Sequence, residues 1–208
     1  MEAYTATPLV PPHLPRDHPL VTRDYSLFTL AIGQMVDCIA DWIDNQVDGA
    51  TLYGPSRFGK SSAVDHWLGN LLSERHGGQV PMVVWSHIDS GGSQSVGRFH
   101  SNLLHASRHP LARAARSPLD RLHMLVEKWT ELATQGGGRF LVLVIDEAQG
   151  MSQREWMWLV ELHSLLEKDG LRLHLTLPVT PSSTWSWSPR AAASTSSRIA
   201  CGWSPLGV

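Results

Sequence analysis

The chain has 208 residues, 42% of them hydrophobic, enough for one α/β domain with a core or for one domain with a short appendage. A formal net charge of −2 supplies no general attraction to nucleic acid or to a membrane surface. Two cysteines, Cys38 and Cys201, form no metal pattern and are too few for a disulfide framework; no apolar run reaches membrane-spanning length, so a soluble cytoplasmic protein is expected.

Residues 1–20, with "PLVPPHLPRDHPL", read as an extended lead-in. From Ser26 to about Val47 the residues Leu30, Ile32, Met35, Ile39, Trp42 and Ile43 recur at helical spacing, with Ser26 as the expected cap. Ala50–Tyr53 is a short strand candidate that runs into a glycine loop. Beyond the loop, Ala63, Val64, Trp67, Leu68, Leu71 and Leu72 draw the apolar stripe of a helix ending near Gly77-Gly78. "PMVVWSHI" (81–88) is a second buried-strand candidate, short, apolar and partly β-branched. A helix is expected over 95–107 with Val96, Phe99, Leu103 and Leu104 inward. Ser117-Pro118 has the form of an N-cap followed by proline at the first helical position, and Leu122, Val126, Trp129 and Ala133 carry that helix to Gly136.

"FLVLVIDEAQ" (140–149) is the strongest strand in the chain, apolar throughout, as a strand covered on both faces must be. Ser152 and Glu155 form a capping-box pair at the start of the next helix, Gly170 closes it, and "LRLHLTL" (171–177) alternates as a final strand. Strands alternating with helices predict a mostly parallel sheet with helices on both faces. Residues 178–208 break the pattern: "PSSTWSWSPRAAASTSSRIACGWSPLGV" holds three tryptophans and no Asp, Glu or Lys, and shows neither period. We read 178–208 as an irregular tail and as an out-of-frame continuation after about residue 177, testable by translating the other frames of the gene.

Several groups have ordinary readings. Arg98, Arg108, Arg113, Arg116 and Arg121 fall in one region and read as a solvated helix surface, with a local basic face as the alternative. His105 and His109 lie four apart near His100, but no acidic third ligand is evident, so they read as surface histidines. Trp67, Trp129 and Trp156 occupy apolar-stripe positions and are expected in the core. No Gly-x-Ser-x-Gly or His-Glu-x-x-His segment supports a serine-hydrolase or zinc-protease reading.

The chemistry lies in two motifs. Gly54-Pro55-Ser56-Arg57-Phe58-Gly59-Lys60-Ser61 fits G-x-x-x-x-G-K-[ST], the Walker A phosphate-binding loop, placed between a strand and a helix as it must be. Glycines let successive N–H groups turn inward toward phosphate oxygens, and the following helix, opening at Lys60, Ser61 and Ser62, adds its free amides. Lys60 is suited to the β- and γ-phosphates and Ser61 to Mg²⁺. Asp146-Glu147 ends the strongest strand at the carboxyl edge of the sheet, where open α/β sheets bind ligands. Asp146 is placed to hold Mg²⁺ and Glu147 to polarise an attacking water, a Walker B pair. The chain lacks the Asn/Thr-Lys-x-Asp segment that reads guanine, so ATP is the expected nucleotide. The strand at 81–88 and the Glu after Asp146 point to the additional-strand, catalytic-glutamate class of P-loop ATPases, a three-layer αβα sandwich.

"GPSRFGKSS" together with "LVLVIDEAQ" resembles the AAA+ ATPases, especially the TniB/TnsC-type regulators of DNA transposition, over about residues 20–177. The resemblance implies an ATPase core over 21–177, with Lys60 and Ser61 on phosphate and Mg²⁺, Asp146 supporting Mg²⁺ and Glu147 as catalytic base. It also implies ATP-bound homo-oligomers, double-stranded DNA and a transposase as partners, and no membrane. Arg57 departs from the family, which often has glycine at that place. A polar sensor after 171–177, a trans-acting arginine, a fifth strand beside Ala50–Tyr53 and a helical lid are not recognisable; Thr176 and Thr180 are weak sensor candidates. On this reading the fold is incomplete at its C-terminus, the first strand has a bare edge, and nucleotide binding, assembly and hydrolysis are all expected to be poor. A helicase-loader-like or signalling ATPase, and a non-enzymatic nucleotide-binding interaction module, are the alternatives.

Overall fold

The computed structural model describes residues 15–22, 25–88, 94–114, 116–180 and 198–202, the last five by their backbone. Expectations for residues 1–14, and for the tail at 181–197 and 203–208, lie outside the described residues. Within the lead-in, Pro19–Thr22 (α1) forms one helical turn where an extended segment was expected, and proline at its first position suits that turn.

Helix α2 (Leu30–Asp44) begins later than its apolar pattern predicts, because Thr29, not Ser26, caps it: the Thr29 hydroxyl accepts the Ile32 N–H at 3.2 Å. Leu30 is accordingly 69% exposed, and the buried stripe starts at Ile32. Ser26 serves elsewhere, accepting the Trp67 indole N–H at 2.9 Å. Strand β1 (Gly49–Tyr53) leads into the glycine loop, and the helix that follows has three parts: α3 (Lys60–Ser62), a π-helical stretch (Ala63–Leu68) and α4 (Gly69–His76). The widened stretch keeps Ala63, Val64 and Leu68 on the buried face.

Strand β2 (Met82–Ser86), α5 (Val96–Ala106) and α6 (Pro118–Gln135) follow, the last opened by Ser117 in a capping box with Asp120. Strand β3 (Phe140–Asp146) is buried along six of its seven residues, and α7 (Gln153–Lys168) starts at the Ser152–Glu155 capping box. Strand β4 (Arg172–Val179) runs two residues beyond the expected 177 and does not alternate: it lies between β3 and β1, covered on both faces.

The sheet order is β2-β3-β4-β1 and every pairing is parallel. Side chains on the two faces of β3 divide the core. Leu141, Leu143 and Ile145 pack with α5, α6 and α7, around Phe99, Leu103, Trp129 and Leu162. Val142 and Val144 pack with α2 and α4, around Ile39, Leu68 and Leu72. The arrangement is the three-layer αβα sandwich of P-loop NTPases. Arg198–Gly202 (β5) pairs in parallel with β1, Gly49 opposite Arg198 and Tyr53 opposite Gly202. This corrects two expectations at these five residues: the segment is extended and paired, and the outer edge of β1 is not bare.

Of the expected core tryptophans, Trp129 is fully buried and donates its indole N–H to Ser107 at 2.7 Å, while Trp67 and Trp156 are half-buried. No helix among the described residues is long and apolar enough to cross a membrane.

Leu143 is fully enclosed at the centre of the sheet. Leu143→Ala is expected to lower the unfolding free energy by about 2–5 kcal/mol, read from urea midpoints at unchanged slope.

Candidate functional site

Strands β1 and β3 are not neighbours; β4 separates them. The loop after β1 and the carboxylates after β3 therefore arch over the end of β4 from either side, at the carboxyl edge where a crevice forms. The two predicted clusters meet there. The Ser61 hydroxyl donates to Asp146 Oδ2 at 2.6 Å, across 85 residues of sequence.

The loop's shape follows from its backbone. Gly59 has φ +86°, a left-handed conformation that turns the chain into α3. The side chain of Ile32 on α2 lies 3.4 Å from where a Cβ at residue 59 would stand, so the loop is backed by packed protein. Arg57 also takes a left-handed conformation, at φ +66°. Arg57 thereby carries a strain of about 1 kcal/mol that glycine would not. Gly54 is buried, Pro55 is half-buried, Ser56 and Arg57 are exposed, and Phe58 is 41% exposed at the tip.

Lys60 folds back over the loop, its ammonium donating to the carbonyls of Gly54 and Pro55, both at 2.8 Å. Burial pulls its pKa below the ordinary lysine range, and the Glu147 and Asp146 carboxylates partly oppose that pull. The lysine thus senses both acidic residues. The Ser62 hydroxyl, two residues on, lies 3.4 Å from the Ser26 hydroxyl, which ties the segment before α2 to the loop's helix. Phe28 packs edge-on against Trp67 nearby, ring centroids 5.0 Å apart.

On the opposite side, Asp146 is buried and fully engaged. Its Oδ1 accepts the Glu147 N–H at 3.0 Å while Oδ2 accepts Ser61. Glu147 is exposed and left-handed, φ +57°, which turns the chain sharply out of β3 into the short 3₁₀ turn Ala148–Gly150. Its carboxylate accepts a hydrogen bond from the Gln149 amide. Of the two sensor candidates, Thr176 is fully buried and bonded to His174 at 3.0 Å, away from the crevice. The backbone N–H of Thr180, by contrast, donates to Gln149 Oε1 at 3.3 Å.

Three side chains escaped the sequence reading. His87, just past β2, is buried with Nε2 3.3 Å from Glu155 Oε1, and its backbone N–H donates to the Asp146 carbonyl at 2.9 Å. Its ring lies so close to Gly150 that a Cβ there would come within 2.9 Å of Nδ1. Glu155 is thus a buried partner of His87 as well as a capping residue, and Gln149 is a bridge. Position hinted at two of these: His87 and Gln149 each fall within three residues of a strand's carboxyl end, whereas Glu155 stood out only as a cap. The histidines considered for a metal do not converge. His100 is buried, not at the surface as expected, and donates to the Pro118 carbonyl at 3.2 Å, whereas His105 lies beside Arg113 and His109 Nδ1 accepts the Leu111 N–H. No group of three or more His, Cys, Asp or Glu among the described residues is placed to hold a metal ion. In the arginine cluster, Arg121 is not solvated surface: it donates to the Gly97 and Ala114 carbonyls, at 3.0 and 3.3 Å, and clamps the loop between α5 and α6.

Comparison with known proteins agrees with this geometry. A family model described as "AAA domain" matches residues 48–182, from the start of β1 to the end of β4. No curated protein sequence matches the chain. Among solved structures, the ORC2 protein of Aeropyrum pernix, in ADPNP–ADP complexes, is similar at TM-score 0.56 and 15% identity, covering 90% of this chain and 52% of that one. The ORC1 protein of the same organism, in complex with DNA, is similar at TM-score 0.58 and 15% identity, covering 88% of this chain and 47% of that one. The chain spans about half the length of these structures, and at such identity they share the fold.

The strained backbone at Arg57 gives a test independent of any ligand. Arg57→Gly is expected to raise the unfolding free energy by about 0.5–1 kcal/mol, measured by urea denaturation, because glycine adopts the observed φ without penalty.

Proposed function

The chain belongs to the AAA domain family, and from that premise we propose that it is an ATP-binding ATPase that regulates DNA transposition. The observation that carries the ATPase reading is the 2.6 Å contact between Ser61 and Asp146, which joins the phosphate-loop hydroxyl to the carboxylate at the end of β3.

The residues present fit the group they would hold. A hydroxyl and a carboxylate are hard oxygen donors, the ligands Mg²⁺ takes alongside phosphate oxygens and water. Lys60, with Gly54, Pro55, Ser56, Arg57, Phe58, Gly59 and Ser62 supplying the loop around it, would bind the phosphates; Ser61 and Asp146 would hold Mg²⁺. When bound, the metal neutralises charge on the phosphoryl oxygens. Lys60 exchanges its carbonyl partners for phosphate oxygens, a charge-assisted contact stronger than those it gives up. Glu147, exposed at the lip of the crevice, orients a water and accepts its proton.

The transposition role rests on the resemblance of "GPSRFGKSS" and "LVLVIDEAQ" to TniB/TnsC-type regulators. A. pernix ORC2 was solved with ADPNP and ADP and ORC1 with DNA, which supports placing nucleotide and double-stranded DNA among this chain's ligands. A homo-oligomer and a transposase complete the proposed set of partners.

Saturating ATP with Mg²⁺ is expected to raise the thermal midpoint, the stabilisation reaching about 2.7 kcal/mol at a hundredfold excess over Kd. Lys60→Ala should abolish that shift. Glu147→Gln should keep it while hydrolysis falls by about 10²–10⁴-fold. Absence of any shift in the unaltered chain would refute nucleotide binding. Double-stranded DNA should stimulate hydrolysis, an effect that fades with added salt as phosphate contacts require; indifference to DNA would refute the transposition role.

A further inference from the structure

The side chain of Gln149 is hydrogen-bonded at both ends of its amide, to one element on either side of the crevice. Its amide nitrogen donates to the Glu147 carboxylate, and its amide oxygen accepts the backbone N–H of Thr180 at 3.3 Å, one residue past β4. The Glu147 side chain is otherwise exposed, on a backbone that leaves β3 in a left-handed turn. The Ala148–Gly150 turn is itself closed by the Gly150 N–H on the Glu147 carbonyl at 2.9 Å and backed by the buried His87 ring against Gly150. Gln149 therefore projects from a braced turn, and its half-buried amide is the link between the carboxylate and the end of the central strand.

We infer that Gln149 is a positioning residue: its amide sets the direction of the Glu147 carboxylate and couples it to the carboxyl end of β4. The inference rests on the ATPase reading, in which Glu147 orients the attacking water. A primary amide can at once donate to a carboxylate through its nitrogen and accept a backbone N–H at its oxygen. β4 lies between the strands that carry the phosphate loop and Asp146, and the Gln149 amide gives a shift at its end a hydrogen-bonded route to the Glu147 carboxylate. The bond Gly54 N–H to Val179 carbonyl, at 3.4 Å, already joins that strand end to the loop. The glutamate is in this way aimed by the same strand that borders the phosphates.

Two substitutions separate aiming from tethering. Gln149→Leu removes both hydrogen bonds. Gln149→Glu keeps an oxygen for Thr180 but replaces the donor with a second carboxylate, which repels Glu147. In the nucleotide-free chain, amide hydrogen exchange at Thr180 should quicken by about fivefold in Gln149→Leu, the loss of one hydrogen bond, and stay unchanged in Gln149→Glu. In steady-state hydrolysis both variants should lose kcat by about 10–100-fold with the ATP Kd held within about threefold, as for a misaimed catalytic group. Added to Glu147→Gln, neither should reduce kcat further. Unaltered exchange at Thr180 in Gln149→Leu would overturn the inference, as would near-normal kcat in Gln149→Glu, since a mere tether survives that change. An unaltered chain that binds no ATP would instead overturn the ATPase reading, leaving the exchange result to decide the link itself.

Discussion

One hydrogen bond organises the crevice: the hydroxyl of Ser61 on the carboxylate of Asp146, at 2.6 Å. It is short because the carboxylate is charged, and such bonds are roughly twice as strong as neutral ones. Asp146 is buried, a position that is costly for a carboxylate unless hydrogen bonds satisfy it. Ser61 meets one oxygen and the Glu147 N–H the other. The loop after β1 and the turn after β3 are thereby held at one distance, and everything else in the site is arranged about that separation.

The sheet order makes the contact possible. β4 arrives last among the central strands in sequence yet sits between β1 and β3. Its insertion spaces the two functional ends and leaves a crevice between them, instead of closing them against each other. Being central, β4 is covered on both faces and stiff. Its end touches both sides of the site, bonding Gly54 through the Val179 carbonyl and Gln149 through the Thr180 N–H. The strand that separates the two clusters is also the one that ties them together.

Left-handed backbone and buried charge occur together at this edge. Arg57 and Glu147 both hold left-handed backbone, and Lys60 and Asp146 are both buried. Each is unfavourable alone and is tolerated because a packed scaffold surrounds it. The Lys60 ammonium is kept by two carbonyls that turn toward it, with two carboxylates within electrostatic reach. Of the three serines expected to cap helices, Ser117 and Ser152 form capping boxes, while Ser26 yields that place to Thr29.

Much of this was legible in the residues. Local chemistry announces itself along the chain: a glycine loop followed by Lys-Ser, an apolar run ending in two acids, proline after a capping serine. Period and composition placed α6, α7 and the start of β3 to within a residue or two; β3 ends at Asp146, three residues before the expected 149. The misses were of another kind. The cap of α2 fell at Thr29 because burial begins at Ile32, and burial is decided by what α2 packs against. The alternation expected of β4 disappeared because the strand is central, which its own residues do not encode. His87 and Gln149 gained their roles, and Glu155 its second one beside capping, from neighbours 31 to 68 positions away, so no local pattern marked those contacts. The sequence alone determined which residues are able to hold phosphate, metal and water, since that depends on side-chain chemistry and short spacing. Only the tertiary structure decided which of them meet, since contacts across a sheet are set by strand order, and strand order is the outcome of packing the whole chain at once.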